Sequence, residues 1–475
     1  MNSPKADRVI PDSAPADSHS TGQRISWRVR AAYLVLGMVA LLMVSDFVLR
    51  AIVPAFEPAR TDFSELYTSA WLWRHGQNFY NSSLVTATQE RLVGVAVQAA
   101  PVYPPTTFAL VSPFTFLPWG WANFLWLLFC LAGVAATISL LWRLGGSRAW
   151  NLGTIAFLTF LLCFDPLHQA FHLGNVALLA VPLVLWAILL AEREQDWRAG
   201  LAIGIAVCLK PQIGVWVLLY YLLRGRKQML FGALTAGAFV IAILLLRPVP
   251  LFNAIPDYQA NLHYWFAPGR PFGFTEGAFP FHVNIIQIIL YRLSRSVLAS
   301  NLLGHSLFIS GIAVWILALW RARFRISVPL AISSLLALSF LSLYHSVSDA
   351  TILTLALCWV LEEHQPWTRI KMATCVLFLL LALPGHSALM RLSPHLGASI
   401  TTAWWWNLFV ARYFVWLLLA LNIVLLIGLW DSARSIGVSD QEKTGDSGTS
   451  HSKARPERLP SGASRSFIVA EGPLS

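Results

Sequence analysis

The sequence predicts an all-α membrane protein that crosses the bilayer many times. Apolar residues make up 56% of the chain and charged residues only 12%, and several apolar segments approach the roughly 20 residues that a spanning helix needs. A closed β-barrel has segments of about ten residues that alternate apolar and polar, a pattern this sequence lacks. Because backbone polar groups must be paired within lipid, spanning helices are the remaining architecture.

The apolar segments divide the chain into about 12 predicted spans, within a range of roughly 10 to 13. They lie near residues 31–53, 121–142, 149–165, 176–191, 199–209, 211–223, 229–247, 298–320, 326–343, 349–361, 371–384 and 408–430. Several are shorter than a full crossing, which predicts tilted helices or hairpins. Residues 104–118 are followed by a break at Pro118 and Gly120, and form either a re-entrant segment or a further span.

Polar segments flank this transmembrane domain, which we place at residues 25–431. Residues 1–24 and 432–475 are rich in small and polar residues without apolar periodicity, and are predicted to be disordered cytoplasmic tails. The first apolar run begins at Ala31, extends past Phe47 and lacks a small-residue cleavage site. It is therefore predicted to remain as a membrane anchor.

Basic residues assign the two membrane faces. Clusters occur around Arg143, Arg193, Arg224–Lys227, Arg321–Arg325, Arg369 and Arg434. Since cytoplasmic loops are enriched in Lys and Arg, these positions and both termini are predicted to be cytoplasmic, in a plasma or inner membrane. The formal charge of +11 then reflects membrane orientation and anionic lipid rather than nucleic acid. The five cysteines lie in apolar runs without CxxC or Cys/His spacing, which argues against disulfides and structural zinc.

The polar segments that remain fall on the extracytoplasmic face. They are residues 60–104, 165–175, the turn at 210–211, 248–283, 344–349 and 384–407. In the first of them, Tyr67, Ala70 and Trp71 recur at helical spacing and Gly76 stands where a C-terminal cap belongs. This pattern predicts a short amphipathic helix at the membrane surface.

Asp62 opens that helix and has two interpretations. As an N-cap, it would form a capping box with Glu65. As a general base, it would stand where lipid meets water and take a proton from an acceptor hydroxyl. One carboxylate can serve both purposes.

Several motifs together resemble glycosyltransferase family 87 over roughly residues 30 to 360. They are Asp62-Phe63 with Tyr67, Ala70, Gly76 and Tyr80, then Tyr103-Pro104-Pro105, Leu173-Gly174-Asn175 and Lys210-Pro211-Gln212. The resemblance implies a GT-C fold and a polyprenyl-phosphate-mannose-dependent mannosyltransferase. It implies that Asp62 is the catalytic base. The chain carries Asn175 where many relatives carry glutamine, which keeps the amide and shortens its reach.

Lys210 lies within a long apolar stretch, directly before Pro211. A lysine in hydrocarbon needs a counter-charge or a water-filled cavity, and a lipid phosphate would supply the charge. Alternatively, the lysine extends from a hairpin to the interface. The sequence leaves both readings open.

Two histidine motifs lie on the same predicted face. His168 and His172 are four residues apart and could ligate a metal, but without HExxH or a third ligand we favour contacts to substrate or water. His345 and Asp349 share one face if their segment is helical, and resemble a late family motif that ends in Asp. The alternative is a capped helix start at Ser348 or Asp349.

The segment 248–283 interleaves aromatic residues with single charges such as Arg270. This composition suits sugar stacking and phosphate contact, and is equally typical of a membrane interface. The run Trp404–Trp406 fits the interfacial explanation better.

We therefore predict an inverting glycosyltransferase that moves a sugar, most simply mannose, from a polyprenyl-phosphate donor to an extracytoplasmic glycan or glycolipid hydroxyl. Asp62 is the predicted base, and substrate contacts are predicted at Lys210, Tyr67, His168, His172, Asn175, Arg270, His345 and Asp349. No cofactor is predicted, and the role of a divalent metal is left open. The alternative is a transporter or flippase of lipid-linked sugars, which would need ionisable groups along a path from both faces.

Overall fold

The structure is a computed structural model that describes residues 27–53, 61–95, 100–145, 152–246, 251–267, 270, 273–275, 285–362, 367–383 and 385–445. Within these ranges the chain consists of helices joined by turns, without a β-strand. The prediction of an all-α protein is confirmed.

Among the described residues, four helices are long and apolar enough to cross a membrane by length and composition. They are α5 (Trp119–Leu144), α11 (Lys227–Leu245), α14 (Val297–Arg321) and α20 (Tyr413–Gly445), whose apolar part is Tyr413–Ile436. The shortest, α11, has 19 residues. At 1.5 Å per residue it extends about 28 Å, close to the thickness of a bilayer's hydrocarbon core.

The remaining helices accompany these four. They are α1 (Trp27–Phe47), α2 (Thr61–Arg74), α3 (Ser82–Val93), α4 (Pro105–Val111), α6 (Leu152–Cys163), α7 (Asp165–Leu173), α8 (Ala177–Glu192), α9 (Asp196–Leu209), α10 (Pro211–Leu223), α12 (Leu251–Phe266), α13 (Ile286–Ser294), α15 (Val328–Ser342), α16 (Leu355–Val360), α17 (Arg369–Ala382), α18 (Gly385–Leu392) and α19 (Ala398–Thr401). Every predicted span overlaps one of these helices or one of the four long ones.

The segment 104–118 is a short folded-in piece. α4 has 7 residues and the 3-10 segment Ser112–Phe116 that follows has 5. Even end to end they would extend only about 20 Å, less than a bilayer crossing. α4 packs against α2, α9 and α11. Of the two alternatives, the structure shows the re-entrant one.

α9 and α10 form an antiparallel hairpin whose tip is Lys210. Arg226, just after α10, forms an ion pair of 2.8 Å with Asp196 at the start of α9, so the open ends of the two helices lie together. The helices have 14 and 13 residues, or about 20 Å each. The hairpin predicted from two short apolar runs is confirmed. Because α11 is longer than either helix, it extends beyond the hairpin tip.

Glycines hold the hairpin against α11. A Cβ added to Gly200 would lie 2.3 Å from the carbonyl oxygen of Met229, and one added to Gly232 would lie 2.4 Å from the carbonyl oxygen of Trp197. No real side chain fits at these distances, so the two helices meet backbone to backbone, as small residues allow in membrane proteins. This close packing fixes the depth of Lys210 relative to α11.

The helix predicted in the first external loop is α2, and it packs into the protein. Phe63, Tyr67 and Trp73 are buried, and the Phe63 ring stacks on Trp126 of α5 at 4.5 Å between centroids. The prediction places the face of Tyr67, Ala70 and Trp71 at the membrane surface. Tyr67 and Ala70 lie inside the protein instead, because α2 is enclosed by α3, α4 and the 3-10 segment after α4.

Gly76 ends α2 as predicted. Its φ is +70°, which glycine adopts without strain. The N–H of Gly76 donates to the Trp73 carbonyl and the N–H of Gln77 donates to the Leu72 carbonyl, the two bonds of a Schellman motif. The exit of the chain from α2 is thereby fixed.

α12 occupies the described part of the long polar segment 248–283 and clamps the first external loop. The Asn261 side chain donates to the carbonyls of Tyr80 and Pro101, at 2.8 and 3.0 Å. The indole N–H of Trp265 donates to the Ala100 carbonyl at 2.6 Å. α12 therefore holds in place the loop that leads from α3 to α4.

The C-terminal boundary of the helical domain differs from the predicted one. α20 continues to Gly445, past the expected start of a tail at residue 432. Residues 431–445 contain no proline, so nothing local stops the helix when the apolar run ends. The predicted tail at 1–24 and the remainder of the C-terminal one lie outside the described residues.

Candidate active site

Asp62 lies in the first turn of α2, one residue inside the helix start at Thr61. Its Oδ2 oxygen accepts hydrogen bonds from Asn175 and Tyr103, which are distant in sequence. The expected N-cap with Glu65 is therefore not what positions it. The position in the first turn still favours a carboxylate because of the helix dipole.

The turn between α7 and α8 brings an amide to Asp62. Gly174 has a φ of +68°, and a Cβ at this residue would lie 2.9 Å from the Cβ of Phe63. The indole N–H of Trp126 donates to the Gly174 carbonyl at 2.9 Å. Glycine is required here both by the backbone conformation and by the close approach of α2, which explains the Gly174-Asn175 motif.

The Asn175 amide connects Asp62 to Lys210. Its Nδ2 donates to Asp62 Oδ2 at 2.6 Å. Its Oδ1 accepts from Lys210 Nζ at 2.8 Å and from the backbone N–H of Ala177 at 2.9 Å. Because two donors meet Oδ1, the network itself assigns the two ends of the amide.

Tyr103 contacts Asp62 from the other side. Its hydroxyl donates to Asp62 Oδ2 at 3.3 Å and accepts from Asn175 Nδ2 at 3.2 Å. The hydroxyl of Tyr80 donates to the Tyr103 carbonyl at 2.6 Å. Tyr103 belongs to the Tyr-Pro-Pro motif but is not among the predicted site residues. The two prolines that follow it could have indicated a fixed position for Tyr103, because they restrict the backbone next to the tyrosine.

The hairpin tip that carries Lys210 is held by threonines of α4. Hydroxyls of Thr106 and Thr107 donate to the Cys208 carbonyl at 2.7 and 3.1 Å, and Thr107 also reaches the Leu209 carbonyl at 3.0 Å. These carbonyls end α9 and lack partners within the helix. The re-entrant segment thus completes the hairpin.

Lys210 is 4% exposed and forms an ion pair with Asp349. Together with its bond to Asn175, this gives the ammonium group two partners inside the protein. The lysine therefore does not extend to the interface, and of the two requirements for an intramembrane lysine the protein supplies the counter-charge.

Asp349 also caps the 3-10 segment Val347–Thr354. The Ser346 N–H and hydroxyl donate to its two carboxylate oxygens at 3.1 and 3.0 Å. His345 Nδ1 lies 3.5 Å from Asp349 Oδ2, and His345 Nε2 lies 3.2 Å from Ser339 Oγ. The helix-start interpretation applies, with Ser346 as the cap, and the same carboxylate also neutralises Lys210.

These contacts join residues from five separate segments into one network. It runs from Tyr103 and Asp62 through Asn175, Lys210 and Asp349 to His345. Lys210, Asp349 and His345 are almost fully buried, whereas Asp62 is partly exposed. Tyr103, beside Asp62, is partly exposed as well, so the Asp62–Tyr103 end of the network is the end that a substrate can reach.

Burial raises the pKa of Asp62 above its usual range. Hydrogen bonds from Asn175 and Tyr103 and the charge of Lys210 oppose this effect. Burial lowers the pKa of His345, so its imidazole is neutral beside Asp349. An aspartate with a raised pKa is a better proton acceptor near neutral pH than an ordinary one.

Glu65 stands one helical turn after Asp62. Burial, and then the charge of Asp62, raise the pKa of Glu65 to about 8. This shift favours the protonated form of Glu65 next to Asp62.

The structure brings together five of the nine predicted site residues: Asp62, Asn175, Lys210, His345 and Asp349. Tyr67 is buried, and its hydroxyl donates to the Leu117 carbonyl at 2.8 Å. Arg270 is exposed and lies over the Tyr264 ring at 4.5 Å. Neither contact belongs to the network.

His168 lies at a different contact, between α7 and the first apolar helix. Its Nε2 is 2.5 Å from the Leu162 carbonyl and its ring packs on Phe47 at 5.3 Å. His172, one turn later, is only partly buried. Among the described residues, no group of three or more His, Cys, Asp or Glu side chains is arranged to hold a metal ion.

Comparison with known proteins gives a family match to "Glycosyltransferase family 87" over residues 102–347. An alpha-(1->3)-arabinofuranosyltransferase of Mycobacterium tuberculosis is 22% identical over 55% of this chain and 52% of its own length. The chain thus spans about half the length of that relative.

Two further proteins are similar over longer stretches. A polyprenol-phosphate-mannose-dependent alpha-(1-2)-phosphatidylinositol mannoside mannosyltransferase of M. tuberculosis is 23% identical over 89% of this chain and 95% of its own length. The match to the crystal structure of ArnT from Cupriavidus metallidurans in the apo state covers 82% of this chain and 77% of the ArnT chain, at 18% identity and a TM-score of 0.29. That TM-score is too low to compare the arrangement of helices.

The family match includes Tyr103, Asn175, Lys210 and His345, and so most of the network that surrounds Asp62. It extends over more than half of the chain. The chain belongs to glycosyltransferase family 87.

Proposed function

We propose that this protein transfers a sugar from a polyprenyl-phosphate donor to a hydroxyl of an extracytoplasmic glycan or glycolipid, with inversion at the anomeric carbon. The observation that carries the proposal is the partly exposed Asp62 carboxylate, which lies with Tyr103 at the exposed end of a polar network whose other members are buried. Family membership supports the reaction class, and a lipid-linked donor is supported by the name of the mannosyltransferase relative.

Asp62 acts as the general base. Hydrogen bonds from Asn175 and Tyr103 hold its Oδ2 oxygen in place, and the other oxygen takes the proton of the acceptor hydroxyl. The raised pKa of Asp62 makes the carboxylate a stronger proton acceptor. The acceptor oxygen forms a bond to the anomeric carbon as the bond from that carbon to the donor phosphate oxygen breaks. The lipid phosphate leaves with the electron pair, and one displacement inverts the configuration.

Lys210 positions this base through Asn175. The sequence suggested that Lys210 meets the donor phosphate, but its ammonium is already bound to Asp349 and Asn175. Its charge also stabilises the ionised form of Asp62. We therefore assign Lys210 a positioning role. Asp349 binds its ammonium group, and His345 contacts Asp349.

The transferred sugar is mannose in this proposal. The relative that aligns along almost its whole length is named as a mannosyltransferase, whereas the arabinofuranosyltransferase relative aligns over about half. The shorter amide of Asn175 faces Asp62 directly, so it affects the position of the base rather than that of the sugar. An arabinofuranosyl donor is the comparison to include in the assay.

The site is assigned to the extracytoplasmic side. In the hairpin, Lys210 lies at the opposite end from Arg224, Arg226 and their carboxylate partners. Since basic residues favour the cytoplasm, the Lys210 end faces away from it. Labelling of a cysteine placed at Ser82, beside the site end, should occur from outside in intact cells, and labelling only after permeabilisation would reverse the orientation.

The decisive assay uses the purified full chain with synthetic polyprenyl-phosphate mannose, the matching arabinofuranosyl donor and a panel of glycolipid acceptors. Asp62→Asn should lower kcat by about 10²- to 10⁴-fold, the usual contribution of a general base. Asp257→Asn is the matched control, because Asp257 also accepts a side-chain bond from an asparagine, Asn78, at 2.7 Å. It should leave kcat within a few fold.

Two outcomes would count against the proposal. Undiminished transfer in Asp62→Asn would exclude Asp62 as the base. No transfer from any lipid-linked donor, with movement of labelled donor across vesicles, would favour a transporter. The network argues against transport, because Asp62, Lys210 and Asp349 meet at one site and do not line a path through the bundle.

A further inference from the structure

Arg412 is a buried arginine outside the Asp62 network. It directly precedes α20 and is 2% exposed. Among the residues that the structure describes, its Nε and Nη1 atoms have no hydrogen-bond partner. A guanidinium that is buried without acceptors is costly in an apolar surrounding, because it has lost water and gained nothing in return.

A second arginine raises that cost. Arg292, near the end of α13, is close enough for its charge to act on Arg412. Two nearby cations repel each other and favour an anion between them. Neither arginine contacts Asp62, Lys210 or Asp349 in any described hydrogen bond or ion pair.

The surface beside the two arginines is apolar. Leu293 and Leu298, next to Arg292, are 63% and 79% exposed, and Phe409, just before Arg412, is 48% exposed. Exposed side chains of this kind on a membrane helix face lipid. A ligand that approaches from this side therefore needs an anionic head group and an apolar tail.

We propose that Arg412 binds the phosphate group of a lipid. Phosphate matches the planar, multiply donating guanidinium, and arginine is a usual protein partner of phosphate. Inorganic phosphate offers the same head group without the tail, so the source of the phosphate must be distinguished by experiment. The site does not depend on the proposed transfer reaction.

The test measures binding, not catalysis. The full chain in detergent is titrated with polyprenyl phosphate, with phosphatidylglycerol and with inorganic phosphate, and both the dissociation constant and the thermal midpoint are recorded. The variants are Arg412→Gln and Arg412→Lys. Arg295→Gln is the matched control, because Arg295 follows α13 and is exposed.

Arg412→Gln should weaken binding of at least one lipid about 10- to 100-fold, as expected for charge-assisted hydrogen bonds. Arg412→Lys, which keeps the charge but loses the planar fork, should weaken it less, by about tenfold. Arg295→Gln should change it by less than about twofold. Without ligand, Arg412→Gln should unfold at the same or a higher temperature, because it removes an uncompensated charge.

If the Arg412 variants lose affinity for polyprenyl phosphate, the site binds isoprenoid phosphates. If they lose affinity for phosphatidylglycerol, the site binds a membrane phospholipid. Either result supports the proposal. A response to inorganic phosphate that equals the response to both lipids would overturn the lipid assignment. Unchanged affinity for all three ligands in both Arg412 variants would overturn the site.

Discussion

The two ends of the α9–α10 hairpin carry the same kind of ion pair in different surroundings. At the tip, Lys210 and Asp349 have side chains that are 5% and 0% exposed. At the open end, Arg226 and Asp196 have side chains that are 23% and 16% exposed. Partly exposed charges keep some of their water, whereas buried charges lose it and depend on each other.

This difference separates stability from function. A buried pair is often no more stable than apolar residues of the same size, so stability alone does not explain its presence. At the tip, the pair also orients Asn175, and Asn175 holds Asp62. The open-end pair ties helix ends together and contacts no such group. The buried pair is therefore the one we connect with the reaction.

The largest predicted difference comes from breaking one partner at each end. Lys210→Met leaves the Asp349 carboxylate buried without its cation and should lower the free energy of unfolding by about 3–5 kcal/mol. Arg226→Met should lower it by less than about 1 kcal/mol, because its pair is partly solvated. Denaturant unfolding of both variants in the same detergent measures the difference.

The double variant Lys210→Met/Asp349→Leu sharpens that test. Removing both charges should recover most of the lost stability but not transfer activity, because Asn175 keeps only the Ala177 N–H and stays without its ammonium donor. Equal losses for Lys210→Met and Arg226→Met would show that the two ends do not differ in the way described.

Two glycines give a second, smaller contrast. Gly174 lies in the α7–α8 turn, whose Asn175 contacts the hairpin tip, and Gly225 lies at the open end. Gly174 and Gly225 both have positive φ, +68° and +79°, but a Cβ at Gly174 meets Phe63 while one at Gly225 meets nothing within 4 Å. Gly225→Ala should cost about 1 kcal/mol, from backbone strain alone. Gly174→Ala should cost about 2–3 kcal/mol, because the clash with α2 is added.

Thermal unfolding of the two glycine variants, with transfer assays beside it, measures this contrast. Gly174→Ala should also reduce kcat, since the displaced turn carries Asn175. A Gly174→Ala protein that matches Gly225→Ala in both stability and rate would mean that the turn tolerates movement.

The smallest predicted effect concerns pH at the site end. Glu65 has a pKa of about 8 in the folded chain against 4.5 for the free side chain. Between these values the unfolded chain has released the proton and the folded chain has kept it, so stability falls as pH rises from about 4.5 to about 8. Below this window Glu65 has no effect, and above it the loss is constant.

Because the Glu65 carboxyl is partly exposed, we expect this loss to be about 1 kcal/mol. Glu65→Gln should flatten this part of the stability profile, measured as unfolding free energy from pH 4 to 9. If the unfolding free energy of Glu65→Gln falls with pH as much as that of the unchanged chain, another group causes the pH dependence.

The sequence predicted the architecture and most of the network for identifiable reasons. Spans follow from apolar length, and the hairpin follows from a lysine-proline pair between two runs too short to cross. The motifs that resemble the family include Asp62, Asn175, Lys210 and Asp349, and Lys210 also stands out because a charge in an apolar run needs a partner. The basic residues place all four on one predicted face, but their contacts with one another come from the structure.

Residues that the sequence misplaced depend on packing that periodicity does not encode. The four-residue spacing of His168 and His172 fixes their separation on α7, but not that His168 packs on Phe47. Tyr67 fits a surface pattern, yet α2 is enclosed by the segments around it. Arg412 follows a tryptophan-rich run typical of an interface, and only the fold shows that its guanidinium is buried.

The locked amide of Asn175 determines where a proton can rest between turnovers. Lys210 and the Ala177 backbone hold its oxygen, so the amide cannot turn over to accept a proton from Asp62. Among the described residues, hydrogen bonds reach only the Oδ2 of Asp62. In the proposed mechanism, a proton taken from an acceptor therefore stays on Oδ1 and departs from the side on which it arrived. The carboxylate is then regenerated by exchange with water at that surface.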